Sequence, residues 1–185
     1  MTEAIHIPVM ADEVVAAVQP APGRHVLDGT FGGGGYASLF LAAGARVTAF
    51  DRDPDAIAAG QALVERWDGA LTLVHDAFSN MGDAVAAGSV DAVDLDIGVS
   101  SRHLDVAERG FSIQQDGPLD MRMARSGESA ADFLNTADEA EIADVIYRYG
   151  EEHRSRRIAR AIVAARPLTR THELAAVVRK ATNHN

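Results

Sequence analysis

A glycine-rich turn between two acidic residues is the part of the chain best suited to chemistry. An apolar run ends in Asp28, and four consecutive glycines follow at 32–35, ahead of a segment with helical spacing. Glycine adopts positive φ and lets backbone N–H groups approach a ligand closely. Asp51 stands 23 positions after Asp28, at the end of a second apolar run, where a carboxylate can accept hydrogen bonds from both hydroxyls of a ribose. The pattern predicts an α/β protein that binds a nucleoside-containing cofactor, although Asp28 could instead cap the turn.

Alternating strands and helices must position these residues. Asp53 followed by Pro54 is typical of a helix start, because the acid can cap the helix and proline fits its first turn. Strand and helix alternate at a spacing that favours right-handed crossovers, so we expect a parallel sheet. Apolar periodicity predicts strands at 24–28, 46–51, 71–75 and 90–97, and helices at 12–18, 36–43, 54–67 and 81–87.

The pattern changes in the second half of the chain, where no strand is predicted beyond residue 97. A loop rich in Gly, Asp and Arg occupies 104–127, and helices are predicted at 130–134, 137–149, 151–165 and 172–181. Residues Thr136 to Glu139 have the form of a capping box for the second of these helices. Helical spacing predicts that five residues of that helix are core residues rather than base-stacking ones: Ile142, Val145, Ile146, Tyr147 and Tyr149.

Length and composition bound the class of protein. A chain of 185 residues with 47% hydrophobic residues suffices for one packed domain, or for one domain and part of another. No apolar run approaches the roughly 20 residues that cross a bilayer, and the first residues lack a signal region, so we expect no membrane contact and a cytoplasmic location. The absence of cysteine excludes disulfides and thiolate metal sites. Seven scattered histidines lack metal-ligand spacing, so no metal is expected.

Charge is distributed unevenly along the chain, whose net charge is −10. Residues 1–150 carry 24 acidic and 9 basic side chains, whereas residues 151–185 carry 3 acidic and 8 basic ones. Such asymmetry is typical of a segment that faces nucleic acid. Four arginines of this segment are candidates for contact with RNA phosphates, or for solvated or locally ion-paired positions: Arg154, Arg156, Arg157 and Arg160.

Several ordered blocks of the sequence resemble the RsmH/MraW methyltransferase family. These blocks are DGTFGGGGY (28–36), DRDP (51–54), DIGVSS (96–101), ERGF (108–111), DGPLDMR (116–122), YGEE (149–152) and RIARAI (157–162). The resemblance implies a class I S-adenosylmethionine-dependent methyltransferase with a Rossmann-like parallel sheet. It further implies methylation of the N4 amine of a cytosine in the decoding region of 16S ribosomal RNA, within the small ribosomal subunit.

The family also suggests how the chain is divided. Its members resemble a seven-stranded sheet with a helical substrate-recognition domain inserted after the fourth strand, and the last three strands follow that insert. The resemblance therefore implies an N-terminal part of the methyltransferase domain at 1–103 and a helical RNA-recognition insert at 104–185. We expect both parts to be incomplete, lacking the C-terminal portion of the family. An uncovered fourth strand would make a homodimer possible.

Carried over position by position, the family's cofactor contacts fall on Gly34, Gly35, Tyr36, Asp51, Phe78, Asp96 and His103. Phe78 could pack on the adenine or belong to the core, and the neighbouring Asp76 could accept a hydrogen bond from a polar group. Asp96 is the candidate catalytic residue, because its carboxylate could accept a hydrogen bond from the attacking amine as positive charge develops on nitrogen.

Three positions depart from the commonest family pattern. Tyr36 replaces a frequent histidine, and His103 stands where glutamine is usual. Asp94 stands where an apolar residue is usual, inside a strand expected to be buried on both faces. Burying an unpaired carboxylate is costly, so Asp94 should be paired, protonated or exposed. Because residues two apart in a strand share a face, it could also form a carboxylate pair with Asp96.

Two other functions remain open. The glycine pattern that ends at Ala37, followed by Asp51, formally matches a dinucleotide fingerprint and suggests an NAD-dependent oxidoreductase. Against that reading, the residues between Asp28 and Gly32 separate the strand from the first fingerprint glycine. A truncated, non-catalytic fragment of the family that binds cofactor or RNA is the second alternative. A P-loop is excluded because the only lysine is Lys180.

Overall fold

The computed structural model describes residues 8–182 and divides the chain into two compact units, Met1–Gly98 and Val99–Asn185. The first unit contains a parallel sheet and the second contains helices. Assigning these units to a methyltransferase part and a recognition insert stays a prediction. Among residues 8–182, no helix combines the length and apolar character needed to cross a membrane.

The first unit alternates helices and strands as the sequence predicts. Its strands run parallel in the order β3-β2-β1-β4, so the prediction of a parallel α/β sheet is confirmed. In chain order, the elements are α1 (Ala11–Val18), β1 (His25–Asp28), α2 (Gly35–Ala42), β2 (Arg46–Asp51), α3 (Pro54–Arg66), β3 (Leu71–His75), α4 (Met81–Ala84) and β4 (Ala92–Asp94).

The core of this unit lies around β1 and β2. Every residue of β1 is buried, and Phe40 of α2 and Val47 of β2 are completely enclosed. Asp53 accepts a hydrogen bond from the Asp55 amide at 3.0 Å, which confirms the predicted start of α3. These contacts hold β1 and β2, whose carboxyl ends carry Asp28 and Asp51, at fixed positions in the sheet.

The fourth strand is much shorter than the predicted 90–97. Only Ala92–Asp94 pairs with β1, because β1 itself ends at Asp28 and Gly29 begins the turn. β4 is the edge of the described sheet, and Val93 is 50% exposed. The expectation that this strand is buried on both faces is therefore wrong.

The second unit is helical. Its helices are α5 (Ser101–Asp105), α6 (Ala130–Thr136), α7 (Glu139–Gly150), α8 (Ser155–Ala165) and α9 (Thr171–Thr182). Within the described part of the chain no strand follows β4, and an isolated antiparallel bridge joins Pro118 to Arg170. The apolar core includes Ile142 of α7 and Ile162 of α8.

Two predictions for α7 are wrong. Thr136 does not open a capping box, because it is the last residue of α6 and its hydroxyl donates to the Asp132 carbonyl at 2.8 Å. The capping box instead belongs to α6, where Ser129 and Asp132 bond reciprocally. Val145, Tyr147 and Tyr149 are exposed rather than in the core; Tyr147 lies off the face of Ile142, and Tyr149 lies in the last turn.

The loop at 104–127 is held by its own motif residues. Arg109 is buried, and its guanidinium donates to the carbonyls of Arg122 and Met123 at 3.1 and 2.9 Å. Gly117 is required at its position because a Cβ there would lie 1.8 Å from the Ala107 carbonyl oxygen. Asp116 bonds Arg170 at 2.5 Å, at the start of α9. The sequence blocks at 108–111 and 116–122 therefore build the framework of the second unit.

Candidate functional site

Four acidic residues gather at the carboxyl edge of the sheet, where open parallel sheets bind ligands. Asp28 ends β1 and Asp51 ends β2, and Asp94 is the register partner of Asp28. Asp28 also pairs with Ala49, two residues before Asp51, so these side chains share one face. Asp96 is close enough for its charge to raise the pKa of Asp94. The predicted same-face carboxylate pair of Asp94 and Asp96 is consistent with this interaction.

The glycine turn at 32–35 leaves an open space in front of α2, and this space is called the cradle below. Gly34 caps α2 with φ 74°, a conformation that side chains rarely adopt. A Cβ on Gly34 would also lie 2.9 Å from the Phe31 ring, so the position excludes larger residues twice over. A Cβ on Gly33 would meet no atom within 4 Å. Space is therefore available beside the backbone of the turn.

Asp51 is fixed by the backbone on both sides. Its Oδ2 accepts from the Gly32 amide and its Oδ1 from the Asp53 amide, each at 2.8 Å. Each carboxylate oxygen can accept a further hydrogen bond. Asp51 is therefore a half-buried, oriented acceptor next to the glycine turn.

Asp28 is the most buried acid of the group, with 1% of its surface exposed. Its Oδ1 accepts from the Thr30 amide at 2.9 Å, so the predicted turn-capping role is confirmed. Burial is the largest cause that raises the pKa of Asp28 to about 7; the Thr30 bond opposes it, and the charges of Asp94, Asp51 and Asp96 add to it. Asp28 therefore exchanges a proton near neutral pH.

Asp94 and Asp96 lie in different environments. Within residues 8–182, no hydrogen-bond partner lies within reach of the buried Oδ2 of Asp94. Burial, followed by the charge of Asp96, raises the pKa of Asp94. Asp96 is exposed, and its backbone amide donates to Thr30 Oγ1 at 2.7 Å.

The end of β3 contributes an aromatic ring and a second oriented acid. Phe78 is 41% exposed, which argues against its assignment to the core. It lies next to the turn, since a Cβ on Gly29 would be 3.0 Å from the Phe78 Cβ. Asp76 Oδ1 accepts from the Ala77 amide at 2.7 Å and from Asn80 Nδ2 at 2.8 Å. Sequence reasoning missed Asn80 and Thr30, which orient the acids.

The Tyr36 side chain contacts the segment before α1 and a neighbouring residue of its own helix. Its hydroxyl donates to the Val9 carbonyl, and its ring stacks on Phe40 with centroids 6.3 Å apart. The Tyr36 side chain therefore ties α2 to the segment before α1. Its backbone, together with that of Gly35, forms the first turn of α2 beside the cradle.

His103 belongs to the second unit, in α5. It is buried, its Nδ1 lies 3.0 Å from the Ser100 amide nitrogen, and its ring centroid is 5.0 Å from that of Phe111. The side chain thus has a structural role at the start of α5, and its contact with a cofactor stays a prediction. No group of three or more potential metal ligands occurs among the described residues.

The arginines at the start of α8 are exposed. Arg154 donates to the Thr182 carbonyl at 2.7 Å, which joins α8 to α9. Arg160 lies 3.6 Å from Glu139, but its side chain remains 77% exposed, so this ion pair is solvated. Arg156 and Arg160 are four residues apart and share a helix face. These four exposed arginines are called the basic surface below, and two of them lie near a carboxylate, Arg154 at 3.8 Å from Glu152 and Arg160 at 3.6 Å from Glu139.

Residues 3–185 match the sequence profile of the MraW methylase family. The ribosomal RNA small subunit methyltransferase H of Sphingopyxis alaskensis is 64% identical over 182 residues, covering 97% of this chain and 56% of that protein. Proteins of the same name from Rhizorhabdus wittichii and Zymomonas mobilis are 63% and 58% identical, with 99% and 97% of this chain and 58% and 55% of theirs covered. The chain thus spans about half the length of these relatives.

A crystal structure of a Streptococcus mutans protein in complex with SAH has 19% sequence identity and a TM-score of 0.42, covering 51% of this chain and 56% of that one. The family match confirms the resemblance inferred from the sequence blocks. It also confirms the Rossmann-like class I methyltransferase sheet and, at the level of the family, S-adenosylmethionine as the cofactor.

Proposed function

The chain belongs to the MraW methylase family, and we propose that it binds S-adenosylmethionine at the carboxyl edge of its sheet for methyl transfer to small-subunit ribosomal RNA. The observation that carries this proposal is the Asp51 carboxylate, held by the Gly32 and Asp53 amides beside an open glycine turn. An oriented acid beside accessible backbone suits a ribose joined to a charged amino-acid tail. The residues present therefore fit this cofactor.

Each part of the site has a distinct role in binding. Asp51 accepts hydrogen bonds from the ribose hydroxyls, and the backbone of residues 33–36 lies against the methionine portion. Phe78 packs on the adenine with its exposed face, and Asp76 accepts from the adenine amine. The cofactor supplies an electrophilic methyl group on a sulfonium, and the acids at this edge complement its positive charge.

Asp96 is the proposed catalytic residue, and the N4 amine of a cytosine in the decoding region of 16S ribosomal RNA is the proposed nucleophile. The nitrogen lone pair of that amine is delocalised into the ring and must be aligned before it attacks. The Asp96 carboxylate accepts a hydrogen bond from the amine and stabilises the positive charge that develops there. Orientation of the two reacting groups supplies much of the remaining acceleration.

The basic surface on α8 is the proposed contact with RNA phosphates. Exposed arginines bind phosphates without reading sequence, and their contribution weakens as salt rises. The target base must leave its stack to reach an acid at a sheet edge. Action on the small ribosomal subunit would place the protein in the cytoplasm. We also propose His103 as a cofactor contact, and this proposal rests only on its position in the family's sequence pattern.

One observation favours a second candidate, a cofactor-binding module that does not itself complete methyl transfer. β4, which carries Asp94 and precedes Asp96, is the edge of the described sheet, and Val93 and Ile97 are exposed. A reaction site on an uncovered edge excludes water poorly. An NAD-dependent oxidoreductase is disfavoured because Gly29, Thr30 and Phe31 separate β1 from the fingerprint glycines.

Calorimetry with the 185-residue chain tests the cofactor proposal. We expect binding of S-adenosylmethionine and of its demethylated product, with NAD much weaker. Asp51→Ala should weaken the binding of S-adenosylmethionine by about 1–3 kcal/mol because charge-assisted hydrogen bonds are lost. Asp68→Ala, at an exposed acid before β3 and thus at the opposite edge, is the matched control. Tighter binding of NAD than of S-adenosylmethionine would contradict the proposal.

Tritiated S-adenosylmethionine with small-subunit particles separates the two candidates. Incorporation of label into N4 of a cytosine supports methyl transfer by this chain. Binding of S-adenosylmethionine without incorporation would support the non-catalytic module. Incorporation at another base or atom would contradict the cytosine-N4 assignment while leaving the cofactor site intact.

A further inference from the structure

Thr30 joins the two sides of the glycine turn, although nothing in its type marks it as functional. Its amide donates to Asp28 Oδ1 at 2.9 Å, and its Oγ1 accepts from the Asp96 amide at 2.7 Å. The preceding residue, Gly29, donates its amide to the Asp94 carbonyl at 2.9 Å. Thr30 therefore connects the buried end of β1 to the exposed segment after β4.

We propose that Thr30 is the positioning residue for Asp96, an inference that rests on the proposed role of Asp96 in methyl transfer. The ladder between β1 and β4 ends at Asp94, so Asp96 lies beyond the paired part of the strand. The Asp96 amide donates instead to a side chain of the turn, the Thr30 hydroxyl. The hydroxyl of Thr30 thereby sets where the backbone that carries the Asp96 carboxylate runs.

The position of this hydroxyl is itself well determined. The Thr30 amide is bonded to Asp28, and the next amide, that of Phe31, donates to the Phe50 carbonyl at 2.8 Å. Backbone on either side of Cα is thus fixed by β1 and β2. The branched Cβ of threonine further restricts χ1. The hydroxyl is therefore a rigid anchor for a segment that has left the ladder.

The ribose acceptor Asp51 is held by a different set of contacts from those of Asp96. Asp51 is held by Gly32 and Asp53, and neither bond involves the Thr30 hydroxyl. Loss of that hydroxyl should therefore loosen Asp96 while the ribose acceptor stays in place. Misplacing an oriented group by about 1 Å can cost about a hundredfold in rate. The inference thus predicts a selective loss of turnover.

The test compares Thr30→Val, which keeps the shape and removes the acceptor, with Thr30→Ser, which restores it. Thr72→Val, at an exposed threonine in β3, is the matched control. In NMR hydrogen exchange, the Asp96 amide should exchange about tenfold faster in Thr30→Val and at close to the original rate in the other two. Thr30→Ala, which adds no apolar bulk, makes the same comparison if Thr30→Val is poorly folded.

Methyl-transfer kinetics give the second readout. Thr30→Val should lower kcat by about 10- to 100-fold, with a smaller change in the Kd of S-adenosylmethionine and with rescue by Thr30→Ser. Unchanged Asp96 exchange in Thr30→Val and Thr30→Ala would overturn the inference, as would a loss of cofactor affinity equal to the loss in kcat. An inactive unsubstituted chain would count against the proposed function, while the exchange rates would still decide whether Thr30 anchors Asp96.

Discussion

Replacing Asp28 with asparagine should change how the stability of the protein depends on pH. Burial raises the pKa of Asp28 from 3.8 to about 7. Because the folded pKa exceeds the unfolded one, the folded state binds more protons between these values, and the free energy of unfolding falls as pH rises from 4 to 7. At 1.36 kcal/mol per pH unit, the full loss above pH 7 approaches about 4 kcal/mol.

Asp28→Asn removes this loss and keeps the contact that orients the turn. Its side-chain carbonyl can still accept from the Thr30 amide, and no ionised group has to be buried. The variant should exceed the free energy of unfolding of the original protein by about 1 kcal/mol near pH 4.5 and by about 2–4 kcal/mol at pH 8. Asp94, whose pKa is also raised by burial, contributes in the same direction and is left unchanged.

The assay is urea unfolding of both proteins at pH 4.5, 6, 7 and 8 and constant ionic strength. Asp116, Asp120, Asp132 and Glu173 have lowered pKa values, so they give stability that is lost as pH falls. The difference between variant and original at each pH cancels those groups. Asp68→Asn is the exposed control. A difference that is constant across the pH series would refute the reasoning, since Asp28 would then not change its protonation near neutrality.

Three further predictions concern the exposed surfaces. Affinity for small-subunit RNA should fall steeply as salt rises from about 50 to 200 mM in filter-binding assays. Substituting arginines 154, 156, 157 and 160 with glutamine should reduce the slope of this salt dependence. An unchanged slope would show that these arginines are merely solvated. The uncovered edge of β4 should promote self-association, which Val93→Lys should reduce in sedimentation velocity, because edge strands with exposed apolar residues pair readily; a monodisperse monomer at high concentration would contradict this. Extending the chain with the additional sequence of a longer relative should raise both stability and methyl transfer, the latter by at least about a hundredfold, since a covered site gains orientation and excludes water.

Sequence patterns predicted the parts of the fold that local chemistry determines. The glycine turn, the Asp53–Pro54 helix start and the strands ending at Asp28 and Asp51 agree with the structure because each depends on neighbouring residues. The extent of β4 could not be predicted in this way, since its apolar run continues beyond the point where β1 offers a partner. Strand length there depends on pairing rather than on composition.

In the candidate site too, the features set by neighbouring residues could be predicted, and those set by the arrangement of strands could not. Asp51 and Asp96 were identified from position in the motifs, whereas their supporting contacts come from residues that are distant in sequence. Asp96 bonds a threonine 66 positions earlier, and Gly32 bonds a carboxylate 19 positions later. Such pairs follow from the arrangement of strands, which spacing alone does not specify. The prediction that Tyr147 and Tyr149 are core residues was wrong because apolar periodicity does not show where a helix extends beyond the core that it packs against.

Two anchors in the glycine turn, the Thr30 hydroxyl and the Gly32 amide, make the distance across the site depend on chain length. Thr30 is attached to the β4 side and Gly32 to the β2 side, with one residue between them. A single added residue can lengthen a chain by about 3.3–3.6 Å, which is comparable to the separation of two reacting atoms. Insertions or deletions between these two anchors should therefore be selected against more strictly than substitutions. Homologous chains are expected to vary here in composition while keeping the spacing constant.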